Sequence, residues 1–197
     1  ILFSKSNIFH RLKDYEKSSQ HLIRANELKL LDKPSNINEV ISLSNNIMTQ
    51  TSKNISFDLS NFKYLRDIFI VGLPRSGSTL IESIIGINSD VCNLGETSIF
   101  MNSFVESENK EFAHLDDLYK KYTTYYSDKK YTTNKTLSNY MYIPYLVSKM
   151  NYSKIIYSFR NPLDNILSMY RAKFTGFGNE YSSSIIDSAI CYVNHFK

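Results

Sequence analysis

Residues 67–86 read DIFIVGLPRSGSTLIESIIG, and no other stretch restricts the fold as much. DIFIVGL is a short apolar run rich in β-branched residues, the pattern of a strand covered on both faces. STLIESIIGI then restarts at helical spacing, with Leu80, Ile84 and Ile85 expected inward. The turn between them holds Gly72 and Gly77, five positions apart, followed by the hydroxyls of Ser78 and Thr79. A loop that runs from a buried strand into a helix start presents free backbone N–H groups and the positive end of the helix dipole to an anion. Glycines let such a loop curl without Cβ clashes. Nucleoside triphosphate loops carry a lysine before the last hydroxyl, which reaches the terminal phosphates. Ser78 stands in that place, so the loop suits a phosphate that needs neither this lysine nor a metal.

The strand–helix rhythm continues to the end of the chain. VCNL, KKYTTNK and KIIYSF read as further strands, each followed by a helical stretch. Alternation of this kind predicts an α/β fold, a P-loop-like three-layer parallel sheet. In such sheets ligands bind at the carboxyl ends of the strands. The polar clusters Pro74–Thr79, Gly95-Glu96-Thr97, Asn134-Lys135 and Arg160-Asn161-Pro162 each follow a strand. Ahead of the sheet two or three helices are expected: DYEKSSQHLIRANELKL, with Tyr15, Ser18, Leu22, Ala25 and Leu28 on one face, and INEVISLSNNIMTQ read as an antiparallel pair broken at Lys33-Pro34-Ser35 and ending in the polar linker TSKNIS. The expected domains are a helical segment over 1–60 and an α/β segment over 61–197. Within SNYMYIPYLVSKM, Pro144 is expected to kink a helix. Asn161 is a good N-cap and Pro162 suits the first helical position.

Composition excludes several classes. Of the 197 residues 42% are hydrophobic and 21% charged, as in an ordinary globular protein. No apolar run is long enough to span a bilayer, so a cytoplasmic location is expected. A net charge of +4 does not call for nucleic acid. Cys92 and Cys191 lack metal-ligand spacing and read as free thiols. The opening Ile1 and the last element, SSSIIDSAICYVNHFK, lead us to expect a piece of a longer protein.

FIVGLPRSGSTLIESII resembles the 5′-phosphosulfate loop of sulfotransferases that use 3′-phosphoadenosine 5′-phosphosulfate (PAPS). It is most similar to the branch fused to tetratricopeptide helices, itself similar to protein-tyrosine sulfotransferases. YSFRNPLDNILSMYRAKF resembles the segment that holds the donor's 3′-phosphate, and the likeness extends over roughly residues 10 to 197. The resemblance implies that Arg75, Ser76, Gly77, Ser78 and Thr79 bind the phosphosulfate. It implies that Arg160 and Ser168 bind the 3′-phosphate. An arginine at a strand end can grip phosphate with a forked donor pair, although an ion pair with Asp164 is the plainer reading of Arg160.

The same resemblance makes Glu96 the general base that takes the acceptor's proton. It makes Lys135 the cation that neutralises charge on the leaving group. As plainer readings, Glu96 is a surface carboxylate at a helix start and Lys135 a solvated loop side chain. The implied donor is PAPS with no metal, and the implied partner a hydroxyl-bearing peptide, carbohydrate or small molecule. The N-terminal helices resemble the end of a tetratricopeptide array; a structural role, packed on the α/β segment or on further repeats, is the first expectation and a protein partner the second. The family half that completes the adenine site lies beyond this stretch, which implies weak donor binding or no turnover by the chain alone. Two other classes compete: a P-loop kinase or hydrolase, and a non-catalytic helical scaffold. The identity of the acceptor and the oligomeric state are not legible.

Overall fold

The computed structural model describes residues 1–52, 66–109, 114–151, 153–175 and 178–196. Along the chain these form α1 (Leu2–Arg11), α2 (Tyr15–Asp32), α3 (Ile37–Ser52), β1 (Asp67–Gly72) and α4 (Ser78–Ile85). β2 (Val91–Asn93), α5 (Ile99–Asn109), α6 (Leu115–Thr124) and β3 (Tyr131–Asn134) follow. A 3-10 turn (Leu137–Tyr142), α7 (Ile143–Lys149), β4 (Ser153–Ser158), α8 (Pro162–Arg171), a second 3-10 turn (Glu180–Ser183) and α9 (Ile185–His195) complete the order. Contacts divide the chain into two units, residues 45–159 and residues 1–44 with 160–197. Most of the TSKNIS linker and the expected boundary at 60/61 lie outside the described residues.

The first unit contains an all-parallel sheet, as the alternating sequence predicts, and its strand order is β2-β3-β1-β4. β1 lies between β3 and β4 because it is the strand apolar enough to be covered on both faces. Phe69, Ile70 and Val71 are fully buried. Phe69 and Val71 join Ile99, Phe100, Leu115, Tyr119, Leu146 and Met150 in one core. Phe69 meets Phe100 edge-on at 5.6 Å between ring centroids, a favoured aromatic geometry. The amino end of the sheet is closed by polar groups instead. Buried Asp67 accepts from Arg66 Nε at 2.7 Å and from Thr132 Oγ1 at 2.8 Å. Asp116 Oδ2 accepts from the Asn151 N–H at 2.8 Å, and burial raises this carboxyl above its usual pKa. Asp116 Oδ1 makes no hydrogen bond among the described residues and only approaches Arg66 Nη2, at 3.8 Å.

Two expectations within this unit are corrected. Leu80 and Ile84 of α4 do not point inward; they are 65% and 58% exposed, and Ser78 and Glu82 occupy the buried face. The reason is polar pairing: Glu82 finds hydrogen-bond donors below the helix, so its carboxylate is buried in place of the aliphatic side chains. Pro144 does not kink a long helix. It sits in the first turn of α7, where no intrahelical N–H is needed, and a 3-10 turn occupies the stretch before it.

The second unit is helical. The N-terminal stretch forms three helices, within the two or three expected, because Lys13 turns left-handed (φ 62°) and Asp14 caps α2, accepting from the Lys17 N–H at 3.1 Å. Tyr15 and Leu28 lie exposed, outside the buried stripe of Ser18, Leu22, Ala25 and Asn26. Small residues bring α1 against α2: Ser18 Oγ donates to the Ser6 carbonyl at 2.9 Å. Asn26 Nδ2 donates to the Tyr170 carbonyl of α8 at 3.1 Å. Cys191 is buried, which pushes its thiol up to about 11 and leaves it in the neutral form. No helix among the described residues is long and apolar enough to cross a membrane.

Candidate functional site

Residues 72–79 leave the carboxyl end of β1 through a loop whose backbone only glycine tolerates at two places. Gly72 has φ 144°, and a Cβ there would lie 2.3 Å from the Ser158 carbonyl oxygen of β4. Gly77 has φ 100° with open space around it, so its requirement is conformational. Arg75 between them is also left-handed, at φ 68°. The loop is tied down by a Ser76 N–H to Leu73 carbonyl bond of 3.3 Å. Ser158 Oγ adds a 3.1 Å bond to the Ser76 carbonyl.

Gly77 is the N-cap of α4, and no side chain caps that helix. Its first-turn N–H groups therefore face the loop without a side-chain acceptor. Ser76 is 7% exposed and its Oγ has no hydrogen-bond partner among the described residues. Buried hydroxyls are almost always paired, and one left open beside an uncapped helix start suits a bound anion. Ser78 is buried as well, whereas Arg75 and Thr79 are exposed. The residues present fit a phosphate group on these grounds. No cluster of three metal-ligating side chains occurs among the described residues.

The loops after β2 and β3 are joined to each other. Lys135 Nζ meets Glu96 Oε1 at 2.7 Å, with the lysine side chain 8% exposed and the glutamate 66% exposed. The Lys135 N–H donates to the Gly95 carbonyl at 2.9 Å. Thr97 and Thr136 exchange two bonds: the Thr97 N–H donates to Thr136 Oγ1 at 3.0 Å, and that hydroxyl donates to the Thr97 carbonyl at 2.8 Å. Asn134 is buried and its Oδ1 accepts from the Thr136 N–H at 3.1 Å. The structure thus brings Glu96 and Lys135 into contact across two strands. It places both at the same sheet edge as the 72–79 loop.

Arg160 and Ser168 belong to the helical unit. Asn161 caps α8 through Oδ1, which accepts from the Leu163 N–H at 3.0 Å and the Asp164 N–H at 3.4 Å. Arg160 is exposed, with Nη2 3.9 Å from Asp164 Oδ2, and its carbonyl accepts from the Tyr192 hydroxyl at 2.8 Å. Ser168 is half-buried, two turns into α8. One residue escaped the sequence reading altogether: Glu82, 6% exposed, whose carboxylate accepts hydrogen bonds from the loop after β2 and from β3. The available signal was a lone acid inside the apolar run LIESII.

The family model described as sulfotransferase domain matches residues 65–187. An uncharacterized protein of Aquifex aeolicus (strain VF5) is 26% identical over 196 residues, covering 87% of this chain and 26% of that protein. The chain therefore spans about a quarter of the length of that relative. No solved structure matches it.

Proposed function

We infer that this chain, which belongs to the family of sulfotransferase domains, moves a sulfuryl group from PAPS to a hydroxyl acceptor. The observation that carries the reading is the 72–79 loop: a glycine-shaped turn into an uncapped helix, with the Ser76 hydroxyl buried and unpaired among the described residues. Arg75, Ser76, Gly77, Ser78 and Thr79 hold the donor's phosphosulfate. Arg160 and Ser168 hold its 3′-phosphate, an assignment that rests on their motif. We assign the chain to the tetratricopeptide-fused, tyrosine-sulfotransferase-like branch, with a helical appendage over 1–60 and the sulfotransferase domain over 61–197, working in the cytoplasm.

The donor supplies a sulfur centre with a good leaving group. The acceptor oxygen forms the new S–O bond while the bond from sulfur to the bridging oxygen breaks. The electron pair stays with the departing 3′,5′-bisphosphate, and Glu96 takes the acceptor's proton. Lys135 balances charge that builds on the bridging oxygen, a preorganised electrostatic role. The 2.7 Å pair holds base and cation together. The exposed Glu96 makes that pair readily parted, because solvent screening keeps such pairs weak.

Ligand-dependent thermal stability tests the reading. Adenosine 3′,5′-bisphosphate at about a hundred times its Kd stabilises a specific site by roughly 2.7 kcal/mol. We expect a rise in Tm with the bisphosphate, with or without EDTA, and none with ATP and magnesium. A rise with ATP and magnesium alone sinks the proposal.

A further inference from the structure

Glu82 lies four residues into the helix that begins at the candidate phosphate loop, on the face turned toward the sheet. Its Oε1 accepts two hydrogen bonds, from the Gly95 N–H at 3.1 Å and from Thr133 Oγ1 at 2.7 Å. Its own carbonyl accepts from Asn93 Nδ2 at 3.3 Å. Gly95 turns left-handed at φ 67° and is followed directly by Glu96. Thr133 is two residues before Lys135, and the Lys135 N–H is itself bonded to the Gly95 carbonyl. One carboxylate therefore grips the phosphate-loop helix, the turn that carries Glu96 and the strand that carries Lys135. Further along α4, Gly86 lies against the exposed Asn93 side chain, and a Cβ there would lie 2.1 Å from its Nδ2.

We propose that Glu82 is a positioning residue for sulfuryl transfer: it sets the base turn at Gly95-Glu96 in register with the phosphate loop at the start of its own helix. The proposal rests on the sulfotransferase reading above. Glu82 moves no proton in this scheme. It acts through Gly95, and its loss lets the turn drift while the loop keeps its glycine-defined shape. Misplacement of a reacting group by about 1 Å can reduce turnover a hundredfold without a matching loss of binding.

The test compares the full-length protein with Glu82→Ala, Glu82→Gln and Thr133→Val. Three quantities are read: amide exchange at Gly95 without ligand, Kd for adenosine 3′,5′-bisphosphate, and transfer of ³⁵S-sulfuryl from PAPS to a panel of phenols, sugars and tyrosyl peptides. For Glu82→Ala we expect Gly95 exchange to rise at least about tenfold and kcat to fall about 10–100-fold, with the bisphosphate Kd within about threefold of the parent. Glu82→Gln keeps an acceptor oxygen and restores all three values. Thr133→Val removes one of the two bonds and gives a smaller loss in the same direction, so a Glu82→Ala chain that fails to fold does not end the test. Unchanged Gly95 exchange in both Glu82→Ala and Thr133→Val overturns the proposal. So does a Glu82→Gln chain as impaired as Glu82→Ala, or a kcat and Kd that worsen together in step with Tm. A parent chain that does not bind the bisphosphate refutes the sulfotransferase reading instead, and Gly95 exchange still decides whether Glu82 holds the turn.

Discussion

The chain contains two strand-to-helix turns that resemble phosphate motifs, and they are built in opposite ways. At 72–79 the helix start is left open: α4 has no side-chain cap, and a buried serine hydroxyl lacks a partner among the described residues. At 160–164 the helix start is closed: Asn161 accepts from two N–H groups, and Pro162 has no N–H that needs an acceptor. An open start offers backbone to a ligand and forgoes stability when empty. A closed start is stable by itself, and any anion there must be held by side chains such as Arg160. The same local topology thus leaves backbone donors open at one helix start and caps them with a side chain at the other.

The largest expected effect breaks the open start. Gly72→Ala forces a Cβ against the Ser158 carbonyl at a φ of 144°. It should lower stability by about 2–4 kcal/mol. Gly77→Ala meets no atom within 4 Å. It should lose only about 1 kcal/mol, from conformational strain. Denaturant midpoints of the two variants make the comparison, and equal losses would mean that close approach to β4 does not shape the loop.

Arg160→Ala probes the closed start. It should remove the preference for adenosine 3′,5′-bisphosphate over 5′-AMP, a change of roughly 10–100-fold in relative Kd by calorimetry. It should leave Tm almost unchanged, since the exposed 3.9 Å pair with Asp164 contributes little. An intact preference for the bisphosphate removes Arg160 from the 3′-phosphate site.

The smallest effects sharpen the contrast most. Asn161→Ala loses a helix cap and should destabilise by about 1 kcal/mol, the same with or without ligand. Ser76→Ala deletes a hydroxyl that has no partner among the described residues. Its stability should stay level or rise by up to about 1 kcal/mol, while stabilisation by the bisphosphate shrinks. Thermal melts of both variants, each with and without the bisphosphate, read the two signs. A destabilised Ser76→Ala chain would show that the hydroxyl serves the fold.

Much of this was legible in advance because it depends on local chemistry. A run such as IFIV has few ways to hide four apolar residues except in a strand covered on both faces. Asn161-Pro162 specifies a helix start by its own hydrogen bonding and its fixed φ. The orientation of α4 was not legible. Leu80 and Ile84 look more buriable than Glu82, and periodicity counts only hydrophobicity. Once the Gly95 N–H and Thr133 Oγ1 are brought beneath the helix, a carboxylate fits there, whereas an isoleucine would leave the Gly95 N–H unpaired and Thr133 Oγ1 with only its 3.4 Å contact to Asn93 Oδ1. Tyr15 and Leu28, expected on the buried face of α2, lie exposed, while Asn26 joins Ser18, Leu22 and Ala25 there and donates to the Tyr170 carbonyl.

The sequence by itself determined the strands, the glycine-shaped turn, the capped start of α8 and the parallel α/β class. Each follows from bonds and backbone preferences within a few neighbouring residues. Only the tertiary structure decided that β1 lies between β3 and β4 and that Lys135 reaches Glu96 across 39 positions of sequence. It alone decided, too, that Glu82 is buried where aliphatic residues were expected. Those outcomes depend on which donors and acceptors meet when distant strands align, and no local pattern encodes that meeting.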